Sequence, residues 1–284
     1  MIKVNGYIVK HKNVLHGEIA IDNFDEFFDI NKESDISIEW FWDGDNAEMM
    51  KLFFIVKHLK EIKRSSTMYT LYMPYAPYGK VSEVEDERKE IFTLKHFADF
   101  INELGFDRVE IIDPQSMVAP ALIRNCSIDK ELTNQNISDL MKMNKYDAIL
   151  TTTYYRLNHR ECFAQYPFFN VIQVIDKDGY VVDHKIVDYK KEYKNILIVN
   201  EFCSDSDTIL DIAKKLVAKK VDHIDLYVTH CSPSVYKGDM IYSGLIDTIY
   251  TTNSIMPMEP IVCRDGAERV TPVKITQLSY YKPN

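Results

Sequence analysis

The stretch Asn195–Leu216, NILIVNEFCSDSDTILDIAKKL, decides the fold. It opens with an apolar run of strand type and closes with apolar residues at helical spacing, Ile209, Ile212 and Leu216 among them. A short polar loop joins the two. Strand, loop and helix in this order outline an anion site, because loop N–H groups and a helix N-terminus can cradle a phosphate. Such loops usually rely on glycine, whereas this one has none and carries Glu201, Asp205 and Asp207. Three readings stay open here: a phosphate cradle, a metal site, or a cradle that has lost its use.

Working outward, the same alternation recurs along the chain. Strands are expected at DISIEWFW (Asp35–Trp42), MYTLYMPY (Met68–Tyr75) and RVEIIDP (Arg108–Pro114). Helices are expected around Ala47–Lys63 and over Thr93–Phe106, where Gly105 forms the C-cap. The second half adds strands at YDAILTTT, FNVIQVID, NILIVNE, HIDLYVTH and IDTIYTTN, with a helix over Asp207–Lys219. Apolar strands alternating with helices imply an α/β fold, its mostly parallel sheets covered by helices and its functional loops at the strands' carboxyl ends. The polar stretch Asn125–Leu140 marks a junction between two α/β halves. The expected division is 1–128, 129–265 and a tail 266–284 packing back on the first domain.

Composition narrows the function. With 46% hydrophobic and 27% charged residues, the 284-residue chain is of globular type. A net charge of −9 argues against nucleic-acid binding, which needs a basic surface. No apolar run reaches the roughly 18 residues needed to span a bilayer, and MIKVNGYIVKHK lacks the features of a signal peptide. The expected place is the cytoplasm, that of the host if the gene is a phage's. Cys126, Cys162, Cys203, Cys231 and Cys263 are scattered, which predicts reduced thiols.

Three stretches resemble the phosphoribosyl pyrophosphate (PRPP) synthetases, or ribose-phosphate diphosphokinases: YMPYAPYGK with EIFTLKHFADFINELGFDRVEIIDPQS, then Asn195–Leu216, then LYVTHCSPS with IYTTNS. VLHGEI, with Glu18, matches an early family segment. The likeness is greatest to the divergent synthetase-like proteins of phages. It implies two phosphoribosyltransferase-like α/β domains assembled as homo- or hetero-oligomers of synthetase-like subunits. It also implies ATP or ADP and ribose phosphate as ligands, and diphosphate transfer from ATP to ribose 5-phosphate. Mg²⁺ is implied if a nucleotide is bound; otherwise no cofactor is indicated. The chemistry is mostly positioning and charge neutralisation.

Measured against the family pattern, the contacts with phosphate are altered one after another. In the ATP segment Tyr78 is kept, Lys80 stands for an arginine, and Glu83 reverses a charge. Lys80 attracts phosphate without arginine's bidentate fork. The family's Asp-Pro-His-Ser is DPQS here, with Gln115 for histidine and Asp113 kept as a metal candidate or a turn residue. Tyr154, Tyr155 and Arg156 follow where an Asp-Ala-Gly turn is expected, and suit packing or base stacking. Lys177 is the candidate for the catalytic lysine, beside an Asp178-Gly179 pair that suits a hairpin turn. His230 lies at a strand end, either as a cleft residue or as a structural one.

In the ribose-phosphate loop Asn200 and Glu201 replace two acids, and Ser204, Asp205, Ser206 and Asp207 precede a retained Thr208. Without glycine the backbone loses the positive-φ freedom that lets an anion approach its amides. Two unit charges about 4 Å apart repel by roughly 4 kcal/mol at an effective dielectric near 20. A divalent ion on Glu201, Asp205 and Asp207 would offset that repulsion. Alternatively, Ser206 or Asp207 simply caps the helix. Two functions follow: an impaired synthetase relative that binds, regulates or assembles, or an active diphosphokinase acting on ribose 5-phosphate or a related acceptor such as ADP-ribose in nucleotide or NAD salvage.

Overall fold

The computed structural model describes residues 1–22, 35–62, 66–79, 91–177, 181–189, 192–204, 207–259, 261–263, 266, 268–269 and 273–276. The chain divides into two compact units, one of Met1–Asp129 and one beginning at Lys130.

In the first unit the strands are β1 (Ile2–Val4), β2 (Tyr7–Ile8), β3 (Lys10–Asn13), β4 (Ile19–Asp22), β5 (Ile36–Trp40), β6 (Tyr69–Tyr72), β7 (Arg108–Ile112) and β8 (Cys126–Asp129). A six-stranded sheet runs β2-β1-β5-β6-β7-β8, parallel from β5 to β8 and antiparallel at β1. Helices α1 (Ala47–Ile62), α2 (Thr93–Leu104) and α3 (Val118–Leu122) connect it. Helix α2 presents Leu94, Phe97, Ala98, Ile101 and Leu104 to the core and ends at Gly105, whose φ of 66° is the left-handed cap expected there. The core gathers Trp40, Leu52, Val56, Leu71 and Ile111. The polar stretch Asn125–Leu140 comprises β8, the boundary after Asp129 and most of the next helix.

The second unit contains α4 (Glu131–Asn144), β9 (Ala148–Thr152), α5 (Thr153–Asn158), α6 (Arg160–Phe163), β10 (Phe168–Ile175), β11 (Val181–Val187), β12 (Asn195–Cys203), α7 (Asp207–Ala218), β13 (His223–Cys231), α8 (Asp239–Tyr242), β14 (Thr248–Thr252), the short pair β15 (Ile261–Val262) and β16 (Glu268–Arg269), and β17 (Val273–Thr276). Its seven strands are ordered β11-β10-β9-β12-β13-β14-β17, all parallel except for the β10–β11 hairpin. Residues 273–276, assigned by sequence to a tail, therefore complete this sheet beside β14.

Helix α7 packs Ile209, Leu210, Ile212, Ala213 and Leu216 against the sheet residues Ile196 and Ile198. Truncating one such leucine, Leu216→Ala, is of the class that costs about 2–5 kcal/mol. This apolar stripe holds β12 and α7 together. The next strand after β9 lies on one side of it and β12 lies on the other, so the chain reverses direction across the sheet between β9 and β12. In open α/β sheets ligands bind at the strands' carboxyl ends at such a reversal.

Candidate functional site

A cavity of about 380 Å³ opens at this reversal, within the usual range for small-molecule sites. Its apolar walls include Leu150, Val171, Ile198, Ile209 and Ile212, and its polar groups include Thr151, Gln173, His184, Asn200, Glu201 and Thr208. Strands β9, β10 and β12 contribute most of the lining, β11 supplies His184 and α7 supplies Thr208. Among the described residues, the lining contains no lysine, arginine or glycine.

Two polar atoms on the α7 side are buried without a hydrogen-bond partner, Asn200 Oδ1 and His184 Nε2; the Thr151 hydroxyl, also unpartnered, shares the opposite face of the sheet with Val199 and Asn170. The Asn200 amide is turned by a bond from Nδ2 to the Phe202 carbonyl, 3.0 Å away, which leaves the oxygen unused. His184 is fixed from behind. Its Nδ1 lies 3.3 Å from Asp211 Oδ2, and Lys215 Nζ donates to that same carboxylate oxygen at 2.8 Å. Lys215 also pairs with Asp183 and donates to the His184 carbonyl at 2.6 Å, so α7 and the β11 edge are tied together. These bonds hold the Asp183 carboxyl below the usual carboxylate range and the Lys215 ammonium above its ordinary value, in each case chiefly through their mutual hydrogen bond. A buried polar atom left unpaired costs about 1–3 kcal/mol. Two beside one cavity mark it as a place where a ligand supplies the missing partners.

The residues expected from sequence fall into separate groups. Asn200, Glu201 and Thr208 line the cavity. Ser204 follows β12, half-buried, at the start of the loop. Asp205 and Ser206 lie outside the described residues, and Asp207 begins α7 with its side chain undescribed. Lys177 is exposed just beyond β10 and is not part of the lining. Asp178-Gly179 also falls outside the described residues, although β10 and β11 on either side pair as a hairpin.

In the first unit, Gln115 lies beyond the carboxyl end of β7, close to Gly79, the residue after Tyr78. A side chain at Gly79 would sit 3.8 Å from Gln115 Cβ, and Gln115 Nε2 donates to the Tyr75 hydroxyl at 3.0 Å. Tyr78 is turned inward: its hydroxyl donates to Asn46 Oδ1 at 2.6 Å and its ring packs on Trp42 and Phe97. That is a packing role. Asp113 is buried with φ 35°, Lys80 and Glu83 lie outside the described residues, and Glu18 is exposed before β4.

Two other expectations resolve as structure. Tyr155 is buried, stacked on His159 and edge-on to Phe163; the side chains of Tyr154 and Arg156 are not described. His230 is buried, with Nδ1 2.8 Å from Ser254 Oγ. Sequence reasoning missed His184 and Asp211. It also missed a cluster at the amino ends of β13 and β14. There His223 Nε2 lies 3.2 Å from Asp225 Oδ2, its Nδ1 lies 2.9 Å from Asp247 Oδ2, and Tyr146 donates to Asp225. These three could gather round a metal ion. However, both ring nitrogens already face carboxylates, an arrangement that braces the strand ends by itself.

No protein-family model and no curated protein matches this sequence. Among solved structures, the phosphoribosylpyrophosphate synthetase from Mycobacterium smegmatis superposes with a TM-score of 0.67 at 13% identity, covering 95% of this chain and 86% of that one. The chain has a PRPP synthetase-like fold. A purine phosphoribosyltransferase from Pyrococcus horikoshii Ot3 matches 44% of this synthetase-like chain and 79% of its own, at 9% identity and a TM-score of 0.31, too slight to argue from. At such identities the likeness concerns architecture alone. No helix among the described residues is long and apolar enough to cross a membrane.

Proposed function

We propose that this synthetase-like chain no longer transfers diphosphate and instead acts as a binding, regulatory or assembly subunit. The observation that carries the proposal is the character of the cavity below the β12–α7 loop. A ribose phosphate held there would need cationic side chains or freely approached backbone amides, and the described lining offers Glu201 and unpaired acceptors instead. A phosphate within about 4 Å of the Glu201 carboxylate would meet roughly 4 kcal/mol of repulsion per unit charge at a dielectric near 20. A good hydrogen bond returns about 1 kcal/mol of that. If a nucleotide brings Mg²⁺, Glu201 is the described carboxylate placed to take it, since Mg²⁺ prefers oxygen ligands.

Assembly with synthetase-like subunits, its own or another's, gives such a scaffold a use without turnover. A coupled assay for AMP, with ATP, Mg²⁺ and either ribose 5-phosphate or ADP-ribose, tests the reading. The expected rate is that of the uncatalysed control. Turnover abolished by Glu201→Gln would establish the diphosphokinase instead.

A further inference from the structure

We propose that the cavity at the strand reversal binds an uncharged, donor-bearing ring compound of nucleoside or free-sugar size, and discriminates against its phosphate ester. The proposal rests on the reading that this loop no longer takes phosphate, and it names what takes its place.

The unpaired atoms set the polarity of the ligand. Asn200 Oδ1 can only accept, because the amide's nitrogen is committed to Phe202. In the tautomer with Nδ1–H directed at Asp211, the His184 ring presents Nε2 as an acceptor too. Glu201 adds a carboxylate, which accepts and repels anions. The matching molecule therefore brings several O–H or N–H groups and no negative charge. Between these groups the walls are aliphatic, from Leu150, Val171, Ile198 and Ile212, and suit the flat faces of a ring.

Asp211 is a positioning residue in this scheme. It fixes the tautomer of His184, and Lys215, anchored to Asp183 and to the His184 carbonyl, fixes Asp211. An asparagine at 211 could donate to Nδ1 and so turn Nε2 into a donor.

Calorimetric titration of the full chain with adenosine, AMP, ribose and ribose 5-phosphate tests the proposal, and the adenosine and ribose arms separate a nucleoside from a free sugar. At least one neutral compound should bind, tenfold or more tighter than its phosphate ester. Asn200→Leu, which keeps the volume and removes the amide oxygen, should weaken it at least fivefold. Asp211→Asn should also weaken it, with the ¹⁵N shifts of His184 showing the proton moved from Nδ1 to Nε2. The proposal is overturned if neither neutral compound binds, if the ester binds as tightly, or if Asn200→Leu leaves affinity unchanged in a folded protein. AMP release in the coupled assay would instead overturn the reading on which it rests, so the two failures are distinguishable.

Discussion

Replacing Thr151 by valine should make the ligand-free chain more stable. Thr151 lies in β9, paired with Asn170 of β10 on one side and Val199 of β12 on the other, and is 2% exposed. Its hydroxyl is buried without a partner. Valine has the same shape, keeps every backbone bond of the ladder and is at home in a strand. The substitution therefore removes a desolvation cost and leaves no cavity behind. An unsatisfied buried hydroxyl costs about 1–3 kcal/mol, so a gain of about 1 kcal/mol, the low end of that range, is expected. For a unit of this size that corresponds to about 2–4 °C in melting midpoint.

Trp40 and Trp42 are the chain's two tryptophans, and both belong to the first unit, so tryptophan fluorescence would not report on β9. Differential scanning calorimetry or far-ultraviolet circular dichroism is the proper measurement. A loss of 1 kcal/mol or more on Thr151→Val would mean that the hydroxyl has a native partner and would refute the reasoning.

Other expectations follow from the same structure. Lys215→Met should loosen β11 where Lys215 clasps Asp183 and Asp211, seen as faster amide exchange over Val181–Val187 at neutral pH. Because the Asp183 pKa is lowered in the fold, its share of the clasp is present above the ordinary carboxylate pKa and fades as pH falls through the lowered value. Lys215, with its pKa raised, contributes below the ordinary lysine pKa and fades as pH rises through the raised value, so exchange should be slowest between these limits. Burial pushes the Cys126 thiol up to about 11 and that of Cys231 well above its usual value. Both should react with a thiol reagent at pH 8 far more slowly in the native than in the urea-unfolded chain. If the chain acts by assembly, mass photometry should show a dimer or larger species at micromolar concentration; a strict monomer, alone and mixed with an active synthetase, would defeat that role.

The sequence made the scaffold legible because its signals are local. Apolar runs of strand length and the 3.6-residue stripes of α2 and α7 lie within single segments, and the Gly105 cap sits where the stripe of α2 ends. The strand β11 escaped because VVDHKIV is mostly exposed or half-exposed and shows no buried face. Its existence followed only from the hairpin signal at Asp178-Gly179, which implies a returning strand. With β11 unrecognised, His184 had no position, and its link to Asp211 joins residues 27 apart on a strand and a helix. Orphaned atoms are a tertiary property. Asn200 could be recognised as a replaced acid, but not as an amide whose nitrogen is already spent on Phe202. β17 was lost to an apparent tail because VKIT is too short to stand out before it finds β14.

The scaffold and the phosphate chemistry of such a fold depend on different residues, which explains how one can outlast the other. The strand–loop–helix unit is held by Ile196, Ile198, Ile209, Ile212, Ala213 and Leu216, all buried and all apolar. Burying side chains of this class contributes about 1.5–3 kcal/mol each for the larger ones. Substituting the loop's glycines costs phosphate affinity first and stability hardly at all, because the helix starts equally well from a serine or aspartate at its N-cap. Acidic residues entering the loop then meet no structural penalty either, since negative charge suits a helix N-terminus. A site that only ever stabilised its ligand is free to change its sign of charge while β12 and α7 remain in register. The hydrophobic contacts preserve the cavity, and its unpaired acceptors determine what can enter it.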